Sequence, residues 1–221
     1  MRVLIFGASG MIGHGALLEA LDDPRVTAVR SVGRRAVAVE HAKLTQVTHG
    51  DFTDLSPIER ELAPFDACLY CLGVSSAGMS KEAYRAITVD TTASVSKSLT
   101  RVNASMVMCF ISGAGTSATS GQQWARDKHE AEEIVRRAPF ARAHCFRPAY
   151  IQPMRGVTST IASYRALYAV TTPLYPLLRH MPSVVTSTVE LGRAMLVAAR
   201  EGGPAIVENR DLPALAARAR S

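Results

Sequence analysis

Residues 1–15, Met1-Arg-Val-Leu-Ile-Phe-Gly7-Ala-Ser-Gly10-Met-Ile-Gly13-His-Gly15, join a short apolar run to a series of closely spaced glycines. The unbroken run at residues 3–6 is typical of a strand that is buried on both faces of a parallel sheet. Residues 16–21 continue as a helix that ends before Asp22-Asp23-Pro24, because proline cannot prolong it. A strand, a glycine turn and a helix in this order predict a dinucleotide-binding unit.

The three glycines of this turn have separate predicted roles. Gly7 allows the tight turn, Gly10 lets the backbone approach a pyrophosphate because it has no Cβ, and Gly13 lets the helix pack onto the strand. The free N–H groups and the dipole of the helix start favour phosphate charge. The same turn supplies three further candidate cofactor contacts: Ser9, Met11 and Ile12. The alternative is a glycine-rich turn that holds no ligand.

Strand and helix patterns alternate along the rest of the chain. We predict strands at residues 25–32, 44–47, 66–72, 105–111, 141–146 and 205–208, and helices at residues 81–101, 122–137 and 187–199. The inward candidates of the first of these helices are Ala83, Ile87, Val95 and Leu99. This alternation indicates an α/β fold, a doubly wound parallel (Rossmann) sheet with crossover helices.

The C-terminal part differs in composition. Residues 158–181 are rich in Tyr, Leu and Pro, which predicts helices broken at the prolines. Ser187 and Glu190 have the spacing of a capping box at the start of the next helix. We therefore expect a single domain over residues 1–221, in which residues 154–200 contribute a small helical cap on the substrate side.

Composition narrows the class of protein. With 221 residues, of which 48% are apolar and 20% charged, the chain can bury a sizeable core. There is no run of about eighteen apolar residues, so we expect a cytoplasmic protein without stable membrane insertion. The net charge is +6, but the basic residues form no block interleaved with aromatics, and we predict no nucleic-acid partner. The remaining partners are a nucleotide cofactor and an unidentified small molecule, bound by a monomer or a homodimer.

The four cysteines favour no metal site. Cys68-Leu-Tyr-Cys71 has the C-x-x-C spacing, but residues three apart on a strand point to opposite faces. Neither a second pair nor a pair of histidines completes a zinc set. We expect small buried thiols in a reducing compartment.

The end of the second predicted strand bears on the choice of nucleotide. An NAD-specific site would place a carboxylate there to bind the ribose 2′-hydroxyl. This chain has Gly33-Arg34-Arg35 instead, and two guanidinium groups suit a 2′-phosphate. NADP(H) is therefore favoured, with NAD(H) as the alternative. Without a ligand, Arg34 and Arg35 would be a pair of surface arginines.

The G-x-x-G-x-x-G spacing, with Ala8-Ser9 inside it, resembles the short-chain dehydrogenase/reductase superfamily. The similarity is strongest to its extended and atypical members, the NAD(P)-dependent epimerase/dehydratase-like proteins. The stretches Ser-Gly-Ala-Gly, Trp-Ala-Arg-Asp-Lys and Phe-Arg-Pro-Ala-Tyr-Ile-Gln-Pro resemble a compact group of bacterial atypical members. Relatives of that group include the Tat-interacting protein family of NADPH-binding regulators.

The resemblance implies further cofactor contacts. Asp51 matches the aspartate that contacts the adenine amino group, and Phe52 beside it flanks the ring. Cys71-Leu72-Gly73 matches the backbone that passes the adenosine ribose, although a tight loop is the simpler interpretation. Arg147-Pro148 matches the loop that closes over the nicotinamide.

The catalytic signature of the superfamily is incomplete in this chain. That signature is a Ser after the fifth strand and a Tyr-x-x-x-Lys on the next helix, where the ammonium lowers the pKa of the phenol. Ser112 follows the strand here, although the family's serine often lies nearer Thr116, and Lys128 is present. Trp124 stands where the tyrosine is expected, and an indole cannot exchange a proton near neutral pH.

This departure leaves two functions open. Lys128 keeps a role on the nicotinamide ribose, unless it is a solvated helix lysine. The candidate replacement acids are His129, Tyr84 and Tyr150, and His14 is read as a surface residue. The first hypothesis is an NADP(H)-dependent oxidoreductase or epimerase-like enzyme that acts on a small substrate. The second is a redox-sensing or scaffold protein that binds NADPH without turning it over.

Overall fold

In a computed structural model that describes residues 1–158, 168, 171–178 and 180–220, the centre of the protein is a seven-stranded parallel sheet. Its strands are β1 (Arg2–Phe6), β2 (Ala28–Gly33), β3 (Leu44–Thr48), β4 (Ala67–Tyr70), β5 (Val107–Ile111), β6 (Arg142–Arg147) and β9 (Ile206–Glu208). They lie in the order β3-β2-β1-β4-β5-β6-β9. The order reverses between β1 and β4, where doubly wound sheets bind ligands at the carboxyl ends of their strands. The predicted Rossmann fold is confirmed.

Helices cover both faces of this sheet. They are α1 (Met11–Asp22), α2 (Glu59–Leu62), α3 (Lys81–Arg85), α4 (Thr91–Val102), α5 (Gln123–Arg137), α6 (Tyr175–Leu178), α7 (Thr188–Glu201) and α8 (Leu212–Ala217). A π-helical turn, Ala86–Asp90, joins α3 to α4. In the part of the chain that the structure describes, no helix is long and apolar enough to cross a membrane.

Two apolar clusters fill the space between the sheet and its helices. Val3 and Ile5 of β1 point to a cluster that α1 and α7 cover. Leu4 and Phe6 point to the opposite cluster, which α4 and α5 cover. All four side chains are fully buried, because both faces of a parallel sheet are covered, and this explains the unbroken apolar run of β1.

The cysteine pair follows the same alternation. Cys68 belongs to the cluster under α4 and α5, whereas Cys71 packs against the cluster under α1 and α7. Neither cysteine is in a disulfide. Burial raises the pKa of Cys71 to about 12, so its sulfur stays a thiol near neutral pH. The prediction that the C-x-x-C residues point to opposite faces is confirmed.

The prediction of the buried face of the helix at residues 81–101 is partly wrong. Val95 and Leu99 are fully buried, but Ala83 and Ile87 are exposed. Tyr84 and the polar Thr88 are buried in their place. The buried Thr88 side chain is hydrogen-bonded to the side chain of Tyr84, and the Thr88 carbonyl oxygen accepts a hydrogen bond from the Thr92 hydroxyl at 2.7 Å. Apolar periodicity alone therefore misses this face.

The predicted cap, residues 154–200, includes α7. α7 begins with the predicted capping box, in which Ser187 and Glu190 bond reciprocally. The helix packs on α1 so closely that a Cβ on Gly192 would lie 3.1 Å from Glu19 Cγ. It therefore lies in the helical layer on the sheet, and the extent of the cap stays a prediction.

A short second sheet precedes α7. β7 (Tyr150–Gln152) pairs in parallel with β8 (Val185–Ser187), a pairing that the sequence did not predict. Most of the broken helices predicted for residues 158–181 lie outside the described residues. The described part of that stretch contains a 3₁₀ turn, Thr172–Leu174, followed by α6.

Candidate functional site

The glycine turn is built so that two of its positions exclude any side chain. Gly7 has φ +82°, and a Cβ there would lie 2.8 Å from the carbonyl oxygen of Cys71. A Cβ on Gly13 would lie 2.2 Å from the carbonyl oxygen of Gly7. At Gly10 the nearest atom to a Cβ is the Gly7 carbonyl oxygen at 3.4 Å, and nothing else lies within 4 Å. The space in front of Gly10 is therefore open to a ligand.

The start of α1 presents free donors to this space. Gly10 is the N-cap, it provides no side-chain cap, and the first turn has no acidic residue. His14 N–H makes the first helical bond, at 2.8 Å to the carbonyl oxygen of Gly10. The N–H groups of Met11, Ile12 and Gly13 therefore have no intrahelical acceptor. Such a helix start is suited to binding a phosphate.

A first cavity, of about 640 Å³, extends from the glycine turn towards the end of β2. Its lining residues are Gly7, Ser9, Gly10, Gly33, Arg34, Arg35, Phe52, Cys71, Leu72, Gly73, Val74, Ser75, Ala77 and Met79. Arg34 and Arg35 are exposed, and neither forms an ion pair with an acidic residue of the described chain. Both guanidinium groups are available to an anion.

Phe52 and Asp51 are placed differently. The Phe52 ring packs edge-on against Phe6, with ring centroids 6.0 Å apart, and lines the first cavity. Asp51 is exposed and is not among the lining residues. Its carboxylate accepts hydrogen bonds from the hydroxyl and the N–H of Thr53, at 2.6 and 2.8 Å, and these bonds lower its pKa. The predicted adenine contact of Asp51 stays a prediction.

A second cavity, of about 410 Å³, continues from the first across the carboxyl ends of β4 and β5. The two share the residues of the glycine turn and of the loop after β4: Gly10, Cys71, Leu72, Gly73, Val74 and Ser75. The second cavity is completed by Met11, Ile12, Ile111, Ser112, Lys128, Pro148, Ala149, Tyr150, Ile151 and Tyr168. Together they form one groove along the sheet edge.

Lys128 is held in the wall of the second cavity. Its Nζ donates a hydrogen bond of 3.0 Å to the carbonyl oxygen of Ile111 and lies 5.1 Å from the centroid of the Phe110 ring. Burial lowers the pKa of Lys128 to about 8, although the negative charge of Glu132 acts in the opposite direction. The ammonium of Lys128 is therefore close to its titration point at neutral pH.

Ser112 lies in the same wall. Its hydroxyl and that of Thr116 are 3.0 Å apart, and the Thr116 hydroxyl donates to the carbonyl oxygen of Gly113 at 2.8 Å. The backbone N–H of Ser112 donates to the carbonyl oxygen of Phe146 at 2.8 Å, which fixes the loop to β6. Thus Ser112 and Lys128, which are sixteen positions apart in the chain, meet at one cavity.

Trp124 lies one helical turn before Lys128 but is not among the lining residues of either cavity. A Cβ on Gly115 would lie 3.6 Å from Cη2 of the indole, so the ring packs beside the loop that carries Ser112. The structure thus brings Ser112 and Lys128 together at the cavity and leaves Trp124 beside them.

At the end of β6, Pro148 lines a cavity and the neighbouring Arg147 does not. Pro148 lines the second cavity. The Arg147 guanidinium instead pairs with Glu132 at 2.6 Å and with Glu208 at 3.0 Å. Glu132 is almost completely buried, so these charges stabilise each other within the fold. The Arg147 side chain is held by these two ion pairs and lines neither cavity, and the predicted closure of the Arg147-Pro148 segment over a nicotinamide stays a prediction.

Of the candidate replacement acids, Tyr150 is the one that lines the second cavity. Its hydroxyl donates to Oε1 of Gln152 at 2.8 Å and lies 2.5 Å from the hydroxyl of Thr171. Tyr84, His129 and His14 are not lining residues of either cavity, and burial lowers the pKa of His14.

Sequence reasoning missed some lining residues. Val74 and Ser75 line both cavities, while Ala77 and Met79 line the first. The sequence signal for these residues is the run of small residues directly after β4, at the carboxyl end of the sheet where the strand order reverses between β1 and β4.

The fold and this groove define an α/β protein of the Rossmann type with an open groove at the carboxyl ends of its strands. Residues 3–176 match the model of the NAD dependent epimerase/dehydratase family, and the chain belongs to that family. A curated relative is "Protein fmp52, mitochondrial" of Emericella nidulans, 28% identical over 161 residues, which are 70% of this chain and 68% of the relative.

Solved structures show the same fold at low sequence identity. An oxidoreductase of the short-chain dehydrogenase/reductase family from Burkholderia thailandensis superposes with a TM-score of 0.69 at 15% identity, over 96% of this chain and 92% of that one. The UDP-glucuronic acid 4-epimerase of Bacillus cereus, solved with UDP-glucuronic acid and NAD, gives 0.68 at 11% identity, over 94% and 76%. Some of the structures with this fold, the epimerase among them, were solved with NAD bound.

Proposed function

We propose that this protein binds NADP(H) along the groove and acts as an oxidoreductase or epimerase-like enzyme on a small molecule. The observation that carries this proposal is the continuity of the two cavities around the uncapped start of α1. The pyrophosphate would lie over Gly10, where no side chain intervenes, against the free N–H groups of Met11 and Ile12. When bound, a nicotinamide supplies or accepts a hydride.

Arg34 and Arg35 would select NADP(H) over NAD(H). They line the first cavity at the end of β2, and no acidic side chain of the described chain is paired with them. A 2′-phosphate there would accept charge-assisted hydrogen bonds from the guanidinium groups. Phe52, Cys71, Leu72 and Gly73 would enclose the adenosine beside them, with Asp51 at the adenine amino group.

The second cavity would hold the nicotinamide and the substrate. Lys128 would bind the ribose hydroxyls through its ammonium, and Ser112 would orient the nicotinamide amide or the substrate. The backbone of Arg147-Pro148 would close the nicotinamide end. With a pKa of about 8, Lys128 also holds a proton at Nζ that it can release near neutral pH.

A regulatory protein that binds NADPH without turning it over is the second candidate. Trp124 favours it, because the indole N–H does not act as an acid near neutral pH and the ring lies beside the cavity and not in its lining. The retained Lys128 and Ser112 favour the enzyme. In either case we propose a single cytoplasmic domain over residues 1–221 that acts as a monomer or a homodimer, in which residues 154–200 contribute the small cap.

The purified protein offers a direct test of the nucleotide. Mass spectrometry of the material released by acid from freshly purified protein identifies a bound dinucleotide and its 2′-phosphate. Crystals soaked with NADPH then locate the 2′-phosphate. We expect density for this phosphate between Arg34 and Arg35. A nucleotide bound with its adenosine elsewhere would contradict the proposal.

A further inference from the structure

Exposed apolar side chains are concentrated beside the second cavity. Among the described residues, six large apolar side chains are exposed. Four of them follow one another within residues 174–184, with exposed fractions of 47–73%: Leu174, Leu177, Met181 and Val184. We call these four residues the apolar rim. A fifth, Val74, lines both cavities, and Ile87 on the π-helical turn is the sixth.

Tyr150 attaches the rim segment to the cavity wall at both ends. Its hydroxyl lies 2.5 Å from the hydroxyl of Thr171, just before the rim. Its backbone N–H donates a hydrogen bond of 2.9 Å to the carbonyl oxygen of Val184, the last rim residue. Gln152 adds a third link, from Nε2 to the hydroxyl of Thr172 at 2.9 Å. Tyr150 itself lines the second cavity, so these bonds join the rim segment to the cavity wall, although the four rim residues are not themselves lining residues.

The wall of the second cavity is itself mainly apolar. Its apolar side chains are Met11, Ile12, Leu72, Val74, Ile111, Pro148, Ala149 and Ile151. The rings of Tyr150 and Tyr168 add to this surface, with centroids 5.8 Å apart. Among the described lining residues, Lys128 carries the one formal charge, and the hydroxyl of Ser112 lies in the same wall. A ligand therefore meets a small polar site within an apolar surface.

We propose that the second cavity and the apolar rim bind one elongated, uncharged carbonyl compound. Its carbonyl oxygen accepts hydrogen bonds from the Lys128 ammonium and the Ser112 hydroxyl, and its hydrocarbon chain passes Tyr150 and covers the rim. This assignment rests on the proposed function only in giving the second cavity to the substrate. Apolar surface and hydrocarbon chain are then removed from water together.

A nucleotide sugar fits this surface poorly. The UDP-glucuronic acid bound by the Bacillus cereus epimerase carries a charged pyrophosphate and a carboxylate. The free energy needed to desolvate those charges against the apolar wall would exceed the stabilisation from the single ammonium of Lys128. An uncharged ligand has no such desolvation cost.

The test is the affinity of a homologous series of 2-alkanones, from 2-pentanone to 2-decanone, measured by isothermal titration calorimetry. Each additional methylene that leaves water should tighten binding by about fourfold. In the triple variant Leu174→Ser, Leu177→Ser and Met181→Ser, the gain per methylene should disappear for the longer ketones, while 2-pentanone binds as before. These side chains are exposed, so serine removes no core contact.

Ile87→Ser is the control, because Ile87 is also a large apolar residue with an exposed side chain, 36% against 50–73% for the three substituted residues, and it lies on the π-helical turn and not in the rim. It should leave every affinity of the series unchanged. The proposal is overturned if wild-type affinity does not depend on chain length, if the triple variant keeps the full gain per methylene, or if UDP-glucose binds more tightly than 2-decanone.

Two other occupants of the rim are tested on the same proteins. Sedimentation velocity detects self-association, and co-sedimentation with phosphatidylglycerol vesicles detects a lipid surface. If the triple variant abolishes either interaction and the ketone series has no chain-length dependence, the rim is an interface and the proposal fails. The ketone series is measured with and without NADPH. Absent NADPH binding would refute the proposed function, whereas absent ketone binding to the free protein would refute only this inference.

Discussion

Nζ of Lys128 donates a hydrogen bond of 3.0 Å to the carbonyl oxygen of Ile111, the last residue of β5. This bond holds the ammonium in the wall of the second cavity, where burial lowers its pKa to about 8. The position combines a fixed donor with a proton that is released near neutral pH. It would serve to bind a ribose or a substrate oxygen, whichever of the two proposed functions holds.

The depressed pKa of Lys128 predicts how stability changes with pH. Below pH 8 both the folded and the unfolded states carry the ammonium, so the cost of burying it is fully present. Between pH 8 and the ordinary value of 10.5, the folded state releases its proton first, and stability rises relative to a protein without the lysine. Comparing Lys128→Met with wild type in nucleotide-free urea denaturation, we expect the wild type to gain about 2 kcal/mol between pH 7.5 and 9.5. Parallel curves at all pH values would contradict this assignment.

Gly13 is predicted to be essential for the fold. A Cβ at this position would lie 2.2 Å from the Gly7 carbonyl oxygen, and both atoms are part of the packed strand–helix junction. Gly13→Ala should therefore lower the free energy of unfolding by about 3 kcal/mol or more. Gly121→Ala is the control, because a Cβ there meets nothing within 4 Å. Equal stabilities of the two variants in urea denaturation would show that the junction relaxes.

Arg34 and Arg35 are predicted to discriminate between the two nucleotides. The double variant Arg34→Ala and Arg35→Ala should weaken NADPH binding by about 1.5–3 kcal/mol and leave NADH binding almost unchanged, because only NADPH carries the 2′-phosphate. Fluorescence titration with each nucleotide measures both affinities. A control at Arg136 and Arg137, which lie on α5 and pair with Glu133, should change neither. Equal losses for the two nucleotides would remove the selectivity claim.

Substitutions of Trp124 distinguish the proposed enzyme from the proposed regulatory protein. Residues 124 and 128 lie one helical turn apart, so a phenol at 124 would be activated by the Lys128 ammonium. If the position is a vacated acid site, Trp124→Tyr should raise carbonyl reduction by about 10²–10⁴, while NADPH affinity stays constant.

Trp124→Phe is the control for the shape of the ring. NADPH oxidation is followed with a panel of aldehydes, ketones and quinones for both variants. A wild type that is already active, together with an unchanged rate in Trp124→Phe, would show that another acid acts. Tyr150 and Lys128 are then the groups to test, because both line the second cavity.

Local features of this protein could be predicted from the sequence. The glycine turn, the buried strand β1 and the capping box of α7 depend on residues within a few positions of one another. Strand geometry alone predicts that Cys68 and Cys71 point to opposite faces of the sheet. Gly7 and Gly10 of the predicted turn and the two arginines after β2 accordingly lie around one cavity.

Features that depend on distant residues could not be predicted. Arg147 was expected at the nicotinamide, but its charge pairs with Glu132 and Glu208, of which the second is 61 positions away. Tyr150 was one candidate acid among several, and its attachment to Val184 appears only when β7 pairs with β8. Neither apolar periodicity nor motif spacing contains this information, because both report on neighbours in the chain.

The central claim is that a dinucleotide lies over the uncapped start of α1, and Gly10→Val tests it most directly. The added side chain would occupy the open space in front of Gly10, where nothing but the Gly7 carbonyl oxygen, at 3.4 Å, lies within 4 Å of a Cβ. Gly121→Val, at a glycine with equally open surroundings, is the matched control. By equilibrium fluorescence titration, we predict that Gly10→Val loses NADPH binding while its circular dichroism and unfolding midpoint stay close to those of wild type, and that Gly121→Val binds as wild type does. A folded Gly10→Val protein that binds NADPH as tightly as wild type would contradict the account.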